Sequence, residues 1–289
     1  MNKVAVLVCS NAGLDYLDYP KDIRILRSVI HFKDDEKAYN DFIDMDAATF
    51  YDRITKDPND IPKTSYVSMG KMIETFHELT EEGYEEAIVI TISSALSGLY
   101  DAVKKVAQEE EVKLKIHAFD SRILAYSEAF MALEAHRLLK EGKSVQETLA
   151  YLEKLRNQDN LYFAVDTLLY LVKNGRLSKL QGTLGTMLKL KPLLQIGDNG
   201  KVETIEKIRT TAKALDRVLE KYFEETKNLD VITYISHAHN ESAASFLKNR
   251  IQKEYPTREV VIAYLTPVVG AHTGPRGIGI GYINMKDLR

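Results

Sequence analysis

The stretch from Ile88 to Asp101 most constrains how this chain can fold. It opens with a short apolar, β-branched run, Ile88 to Ile92, which is typical of a buried strand. An amphipathic helix is predicted to start at Ser97, and Ser93 and Ser94 lie between the two elements. In an open α/β sheet, ligands bind at such a junction, where a helix amino terminus favours an anionic group. The alternative is that Ser94 or Ser97 caps the helix and has no ligand.

Strands and helices alternate along the first half of the chain, which predicts a mostly parallel sheet with helices on both faces. The pattern changes after the polar run from Asn157 to Asn160. Beyond it, Gly197-Asp198-Asn199-Gly200 separates two apolar runs and predicts an antiparallel hairpin. We therefore predict an α/β fold of two domains: residues 1–157 with a parallel sheet, and residues 158–289 with a largely antiparallel sheet.

Composition excludes several classes of function. A formal net charge of −3 lacks the basic footprint of a nucleic-acid-binding protein. The single cysteine excludes an internal disulfide and fits a reducing compartment. No apolar run reaches the roughly 20 residues that span a bilayer. We expect a cytoplasmic protein that does not bind nucleic acid.

The common motifs of catalysis and cofactor binding are absent from the sequence. There is neither a phosphate-binding P-loop nor a nucleophile elbow. Gly277-x-Gly279-x-Gly281 enters a strand, which is the wrong context for a dinucleotide fingerprint. His237 and His239 would share one face of a strand, but no third metal ligand is evident nearby. We predict no metal, no cofactor and no catalytic residue.

What remains is a set of neutral polar side chains, which we place in loops at strand ends: Thr64, Ser65, Ser93, Ser94 and His272. Hydroxyl-rich recognition suits a single carboxylate held beside hydrocarbon, where a buried arginine would bring a larger desolvation cost. The many Leu, Ile, Val, Phe and Met residues could supply an apolar pocket. For His272, closely flanked by glycines, a structural hydrogen bond is the alternative to a ligand contact.

The same residues carry a resemblance to a known family. Eight fragments, in order over essentially the whole chain, resemble the DegV family of fatty-acid-binding proteins, which includes the binding subunits of bacterial fatty acid kinase. They are Lys63-Thr64-Ser65, Ile92 to Tyr100, Asp120-Ser121, Gly175-Arg176-Leu177-Ser178, Lys191-Pro192-Leu193-Leu194, Lys207-Ile208-Arg209-Thr210, His237-Ala238 and Gly270 to Pro275. The resemblance implies a DegV-like fold of two domains.

The resemblance also implies a function. A long-chain fatty acid would lie in a tunnel between the domains, with its carboxylate on Thr64, Ser65, Ser94 (with Ser93 beside it) and His272. A partner kinase would convert that carboxylate to an acyl phosphate with ATP, and the product would pass to phospholipid synthesis. This chain would be the non-catalytic subunit, with Arg176 and Arg209 as candidate contacts to the partner or the phosphate. A transient contact with a membrane surface is compatible with this role.

Some positions depart from the family pattern. Cys9-Ser10 stands where the family usually has Asp-Ser, and Tyr66-Val67 stands where it commonly has Gln-Pro. Arg276 takes a usual glycine position, and the run after Asp120-Ser121 lacks the usual glycines.

Two other hypotheses use the same residues. One is a hydrolase or transferase with Ser94 or Ser93 as nucleophile and His272 as base, and the other is a lipid-sensing regulator.

Overall fold

The computed structural model describes residues 3–177, 190–286 and 288. Its strands are β1 (Val4–Cys9), β2 (Arg24–Leu26), β3 (Val29–His31), β4 (Ala38–Asn40), β5 (Lys63–Ser65), β6 (Glu86–Thr91), β7 (Lys115–Asp120), β8 (Asp159–Ala164), β9 (Leu193–Ile196), β10 (Val202–Glu206), β11 (Val231–His237), β12 (Val260–Tyr264) and β13 (Ile278–Asn284). Its helices are α1 (Ala47–Lys56), α2 (Met69–Glu81), α3 (Leu99–Val106), α4 (Tyr126–Lys140), α5 (Val145–Arg156), α6 (Leu169–Lys173), α7 (Thr211–Thr226), α8 (Glu241–Glu254) and α9 (Pro267–Thr273).

The first sheet is parallel, in the order β2-β1-β6-β7. Its two central strands are apolar along their length because both faces are covered. In β1, Leu7 packs on the side of α2 and α3, while Val6 and Val8 pack on the side of α4 and α5. The predicted parallel sheet is confirmed.

The second sheet has the order β10-β9-β8-β13-β11-β12 and is antiparallel except for the pair β11–β12. The predicted hairpin between β9 and β10 is confirmed, and Gly200 takes the positive φ of 73° that its turn requires. The α/β fold with one parallel and one largely antiparallel sheet is therefore as predicted. The boundary at 157/158 falls in the connection between α5 and β8, and the division into domains stays a prediction.

A third, small antiparallel sheet, β4-β3-β5, lies beside helix α9. The sequence analysis placed Thr64, Ser65 and His272 in loops, but the first two belong to β5 and His272 belongs to α9. Helix α9 escaped prediction because it is buried on nearly every side and so lacks an amphipathic pattern. Pro267 in its first turn starts it. Within the described residues, no helix combines the length and the apolar character needed to cross a membrane.

Three glycines lie at alternate positions along one face of the second sheet. Gly277 precedes β13, and Gly279 and Gly281 follow at alternate positions within it. The space over Gly281 is filled by the ring of Tyr234, whose Cζ would lie 1.9 Å from a Cβ added there. Gly277 and Gly279 instead line a cavity between the sheets. The glycines therefore belong to the packing of the interior: one makes room for Tyr234, and the other two form part of the cavity wall.

Candidate ligand-binding cavity

A cavity of about 310 Å³ lies between elements from both halves of the chain, at the lower end of the range of about 300–1,000 Å³ for small-molecule sites. The greater part of its wall is apolar, with side chains from the segments around β6, β8, β9 and α9, among them Leu96, Leu124, Phe163, Val165, Ile196 and Val269. Ser65, Tyr66 and Gly98 on its wall are solvent-exposed and mark its mouth. Ser236 and Ile278, each 2% exposed, mark its inner part.

Polar side chains meet near the mouth. Thr64, Ser65, Ser97, Arg176 and His272 all line the cavity. The Oγ1 of Thr64 lies 2.8 Å from Nε2 of His272, and the Oγ of Ser65 lies 2.9 Å from Nε2 of His31. Three of the five head-group residues expected from the sequence are thus brought together at this cavity.

His272 is neutral in this setting. Removal from water, followed by the positive charge of Arg176, lowers the pKa of its imidazole from 6.5 to about 3. Its Nδ1 is shielded from solvent and has no hydrogen-bond partner among the described residues. One ring nitrogen therefore bonds Thr64, while the other is buried without a partner among the described residues.

Arg176 reaches the cavity because of a helix-ending motif. Gly175 takes a φ of +75° after α6, and the N–H groups of Gly175 and Arg176 donate to the carbonyls of Val172 and Leu171. The Nε of Arg176 then donates to the carbonyl oxygen of Leu96 at 3.0 Å. Burial lowers the pKa of the guanidinium, which nevertheless stays protonated at neutral pH.

The charge of Arg176 has no counterion in the described part of the chain, where no carboxylate forms an ion pair with it. A partly buried cation without a counterion is costly, and an anion bound in the cavity would relieve that cost. The sequence analysis assigned Arg176 to the partner or the phosphate, and argued against arginine as a carboxylate ligand. The structure places it on the cavity wall beside His272, whose pKa it lowers.

Ser93 and Ser94 do not line the cavity. The hydroxyl of Ser93 donates to the carbonyl oxygen of Gly200 at 2.8 Å, so it ties the β9–β10 hairpin to the first sheet. The hydroxyl of Ser94 donates to Oδ2 of Asp120 at 2.6 Å, and its N–H donates to Oδ1. Ser97 lines the cavity, and its Oγ also accepts the N–H of Leu99 at the start of α3. The role of Ser93 and Ser94 as head-group ligands stays a prediction.

The other polar candidates lie away from the cavity. Arg209 is exposed in the connection between β10 and α7. His237 ends β11 and accepts the N–H of Asn240 on its Nδ1. His239 has a positive φ of 51°, so it does not share a strand face with His237. In the residues the structure describes, no three His, Cys, Asp or Glu side chains are arranged to hold a metal ion.

Behind the cavity lies a buried cluster of Cys9, Asn11 and Glu128. The Sγ of Cys9 lies 2.8 Å from Oε1 of Glu128, and Nδ2 of Asn11 donates to Oε2 at 2.5 Å. Burial is the main cause that raises the pKa of the Glu128 carboxyl to about 8, and it also raises the pKa of the Cys9 thiol. Glu128 is therefore protonated and uncharged over most of the neutral range.

Glu128 makes stability depend on pH. The folded protein keeps a proton on this carboxyl between about pH 4.5 and 8, where the unfolded chain has released it. The free energy of unfolding therefore falls as pH rises through this window, by up to about 1.4 kcal/mol per pH unit. We expect Glu128→Gln, the uncharged isostere, to flatten that slope and to be more stable than the wild type near pH 7.5. Urea denaturation across this pH range measures the free energy of unfolding, with Glu81→Gln on the exposed face of α2 as control. If Glu128→Gln shows the same pH slope as the wild type, the prediction is wrong.

Comparison with known proteins gives the family. A family model described as "Uncharacterised protein, DegV family" matches residues 3–285. The chain belongs to the DegV family. A DegV domain-containing protein of Clostridium acetobutylicum is 32% identical over 283 residues, which cover 97% of this chain and 98% of the relative.

Solved DegV structures share the fold. DegV from Bacillus subtilis, described as a fatty acid binding protein, is 30% identical, and the likeness has a TM-score of 0.86 over 98% of this chain and 100% of the other. The fatty acid kinase B3 protein of Streptococcus pneumoniae, loaded with linoleic acid, is 20% identical, with a TM-score of 0.81 over 98% of this chain and 99% of that chain. The second likeness shows the fold alone.

Two features of the site could not be found by sequence reasoning. The position of Arg176 depends on the turn after α6 packing near Leu96, which is distant in sequence. Ser236 on the inner wall is the other, and its one sequence signal is a serine within the apolar run of β11. Asn11, in a short 3₁₀ turn after β1, also lines the cavity.

Proposed function

We propose that the chain binds a long-chain fatty acid in this cavity, with the hydrocarbon inside and the carboxylate near the mouth. The observation that carries the proposal is an apolar cavity with Arg176, a cation without a counterion in the described residues, on its wall. The Thr64 hydroxyl would donate to Nε2 of His272, so that the Nδ1–H of His272 and the hydroxyl of Ser65 would donate to the carboxylate, and Arg176 would supply the opposite charge. The description of B. subtilis DegV as a fatty acid binding protein, at 30% identity, supports the proposal.

Magnitudes favour a long chain over a small acid. Each buried methylene contributes about 0.8 kcal/mol, so ten of them supply about 8 kcal/mol before the costs of binding. A hydrogen bond to a charged group contributes about 1.5–3 kcal/mol net. The tail would therefore supply most of the affinity, while the polar cluster fixes where the head group lies.

We further propose that the bound carboxylate is presented to a partner kinase. The polar cluster is close to the exposed residues Ser65, Tyr66 and Gly98, so a second protein could reach a head group there. The sequence contains no P-loop, and the phosphoryl-transfer machinery would belong to the partner. Arg209 would serve as a contact to that partner from the exposed surface. The acyl phosphate would then pass to phospholipid synthesis in the cytoplasm.

The serine-hydrolase alternative needs a histidine beside a serine nucleophile. The Nε2 of His272 bonds Thr64, and the hydroxyls of Ser93 and Ser94 bond Gly200 and Asp120. This geometry favours binding over acyl transfer. Covalent labelling of either serine by a serine-directed reagent, or turnover without a partner, would support the hydrolase instead.

Thr64→Val tests the proposed head-group site. The substitution keeps the side-chain volume but removes the hydroxyl that bonds His272, so we expect fatty-acid affinity to fall about tenfold with the fold intact. Mass spectrometry of lipid extracted from the purified wild type identifies the acid, and a fluorescent fatty-acid competition assay measures the affinity. Thr75→Val on the exposed face of α2 is the matched control. No extracted fatty acid and no binding by the wild type would overturn the proposed function.

A further inference from the structure

The inner part of the cavity is not wholly apolar. Ser236 lines it at 2% exposure, and its Oγ has no hydrogen-bond partner among the described residues. A buried hydroxyl left unpaired is destabilising, because it has given up its hydrogen bonds to water. A plain hydrocarbon chain beside it would leave this hydroxyl unpaired.

The strand geometry directs Ser236 into the cavity. Side chains alternate along β11, so that Tyr234 and Ser236 share one face, while Ile235 packs on the opposite face with α7 and α8. Across the sheet, Ser236 is paired with Gly279 of β13, and Gly279 is paired with Phe163 of β8. Gly279 lines the cavity together with Ser236, and a Cβ added to it would lie 2.9 Å from Cβ of Phe163, so only a glycine fits beside the serine in this row.

Asn11 and Ser28 add two more polar groups to the same cavity. The Asn11 amide is held in a fixed orientation, since Nδ2 donates to Glu128 and Oδ1 accepts from Cys9. Nδ2 therefore keeps a second N–H that can donate, and Oδ1 keeps a second lone pair that can accept. The hydroxyl of Ser28 makes no hydrogen bond within the described residues, although its backbone N–H donates to Ser10.

We propose that this inner region is a second polar subsite, centred on Ser236, that binds a hydroxyl group carried on the hydrocarbon chain of a fatty acid. The inference rests on the proposed function and deepens it by naming a substrate class. A hydroxyl both donates and accepts, as Ser236 and Asn11 do. A second carboxylate fits less well, because two buried carboxyl groups lie against this wall: Glu128, which accepts from Asn11, and Asp41, which accepts the N–H of Val268.

Competition binding with a positional series tests the proposal. The probes are stearic acid and stearic acids with one hydroxyl at successive positions along the chain, each measured against the wild type and Ser236→Ala. We expect one position, or two adjacent ones, to bind the wild type about fivefold to tenfold more tightly than its neighbours, because elsewhere the hydroxyl is buried unpaired. In Ser236→Ala that preference, measured as the affinity for each hydroxystearic acid relative to stearic acid in the same variant, should disappear. Thr148→Val, which removes a buried hydroxyl of α5 that is not on the cavity wall, should keep the preference.

The outcomes separate this inference from the proposed function. If stearic acid binds but no hydroxyl position is preferred, or if Ser236→Ala keeps the preference, the subsite is overturned and fatty-acid binding stands. If stearic acid itself does not bind, the proposed function fails. Should Ser236→Ala not fold, Ser236→Cys keeps a similar size with a poorer donor, and the same loss of preference is expected of it.

Discussion

Arg176→Gln should weaken long-chain fatty-acid binding by about tenfold to a hundredfold near neutral pH, while a fatty alcohol of the same length binds as well as before. The guanidinium lies on the cavity wall without a counterion in the described residues. A bound carboxylate can therefore pair with this positive charge without displacing another anion. Charge-assisted hydrogen bonds are the strong ones, and removing one partner leaves the buried carboxylate uncompensated. The alcohol carries no charge and loses nothing when the arginine is replaced.

The comparison of acid and alcohol makes this prediction specific to charge. Isothermal titration of both ligands against wild type and variant measures it, with Arg24→Gln, a surface arginine paired with Glu82, as the matched control. Thermal melting checks that losing the bond from Nε to Leu96 leaves the protein folded. Equal affinity of Arg176→Gln and the wild type for the acid would exclude a head-group role for this arginine.

Gly281→Ala should destabilise the protein by about 3 kcal/mol or more, because it overpacks a fully buried site. An added Cβ would lie 1.9 Å from Cζ and 2.1 Å from Oη of Tyr234. That ring is held in place, since its hydroxyl accepts from Ser127 at 2.6 Å and donates to Asp159 at 3.2 Å. Tyr234 therefore cannot move aside without breaking both bonds.

Gly277→Ala is the matched control for this substitution. A Cβ there would meet Thr273 Cβ at 3.5 Å, which is an ordinary contact, and its φ is not positive. Denaturant unfolding of the two variants should show a loss at Gly281 and little change at Gly277. A double variant with Tyr234→Ala should cost less than the sum of the two single changes, since the clash is then gone. Equal stability of both alanine variants would show that Tyr234 can relax away from β13.

The sequence predicted the fold where local pattern and tertiary role agree. β1 and β6 are continuous apolar runs because both of their faces are buried, and that pattern is readable from the sequence alone. The hairpin at Gly200 is readable for the same reason, since its glycine-rich turn determines the pairing of β9 and β10. Helix α9 has no polar face, so no local pattern marks it.

The site was predictable in composition but less so in geometry. Thr64 and His272 are separated by 208 residues, yet their side chains meet at 2.8 Å, and their role as head-group ligands stays a prediction. The hydroxyl of Ser93 points instead at Gly200, because that glycine leaves room for it: an added Cβ would lie 2.1 Å from the Ser93 oxygen. Such a long-range packing relation leaves no mark in the residues around Ser93.

The cavity wall is also part of the hydrophobic core. Leu161, Phe163, Val165, Leu171 and Ile196 line the cavity and belong to the core cluster that joins the two large sheets. Under the proposed function, an acyl chain would therefore complete the interior, and lipid and polypeptide would share one core. By mass action, a ligand at a hundred times its Kd stabilises the folded state by about 2.7 kcal/mol. The lifetime of this protein in a cell would then depend on the supply of free fatty acid, since depletion of fatty acid would leave the less stable, unliganded protein exposed to proteolysis.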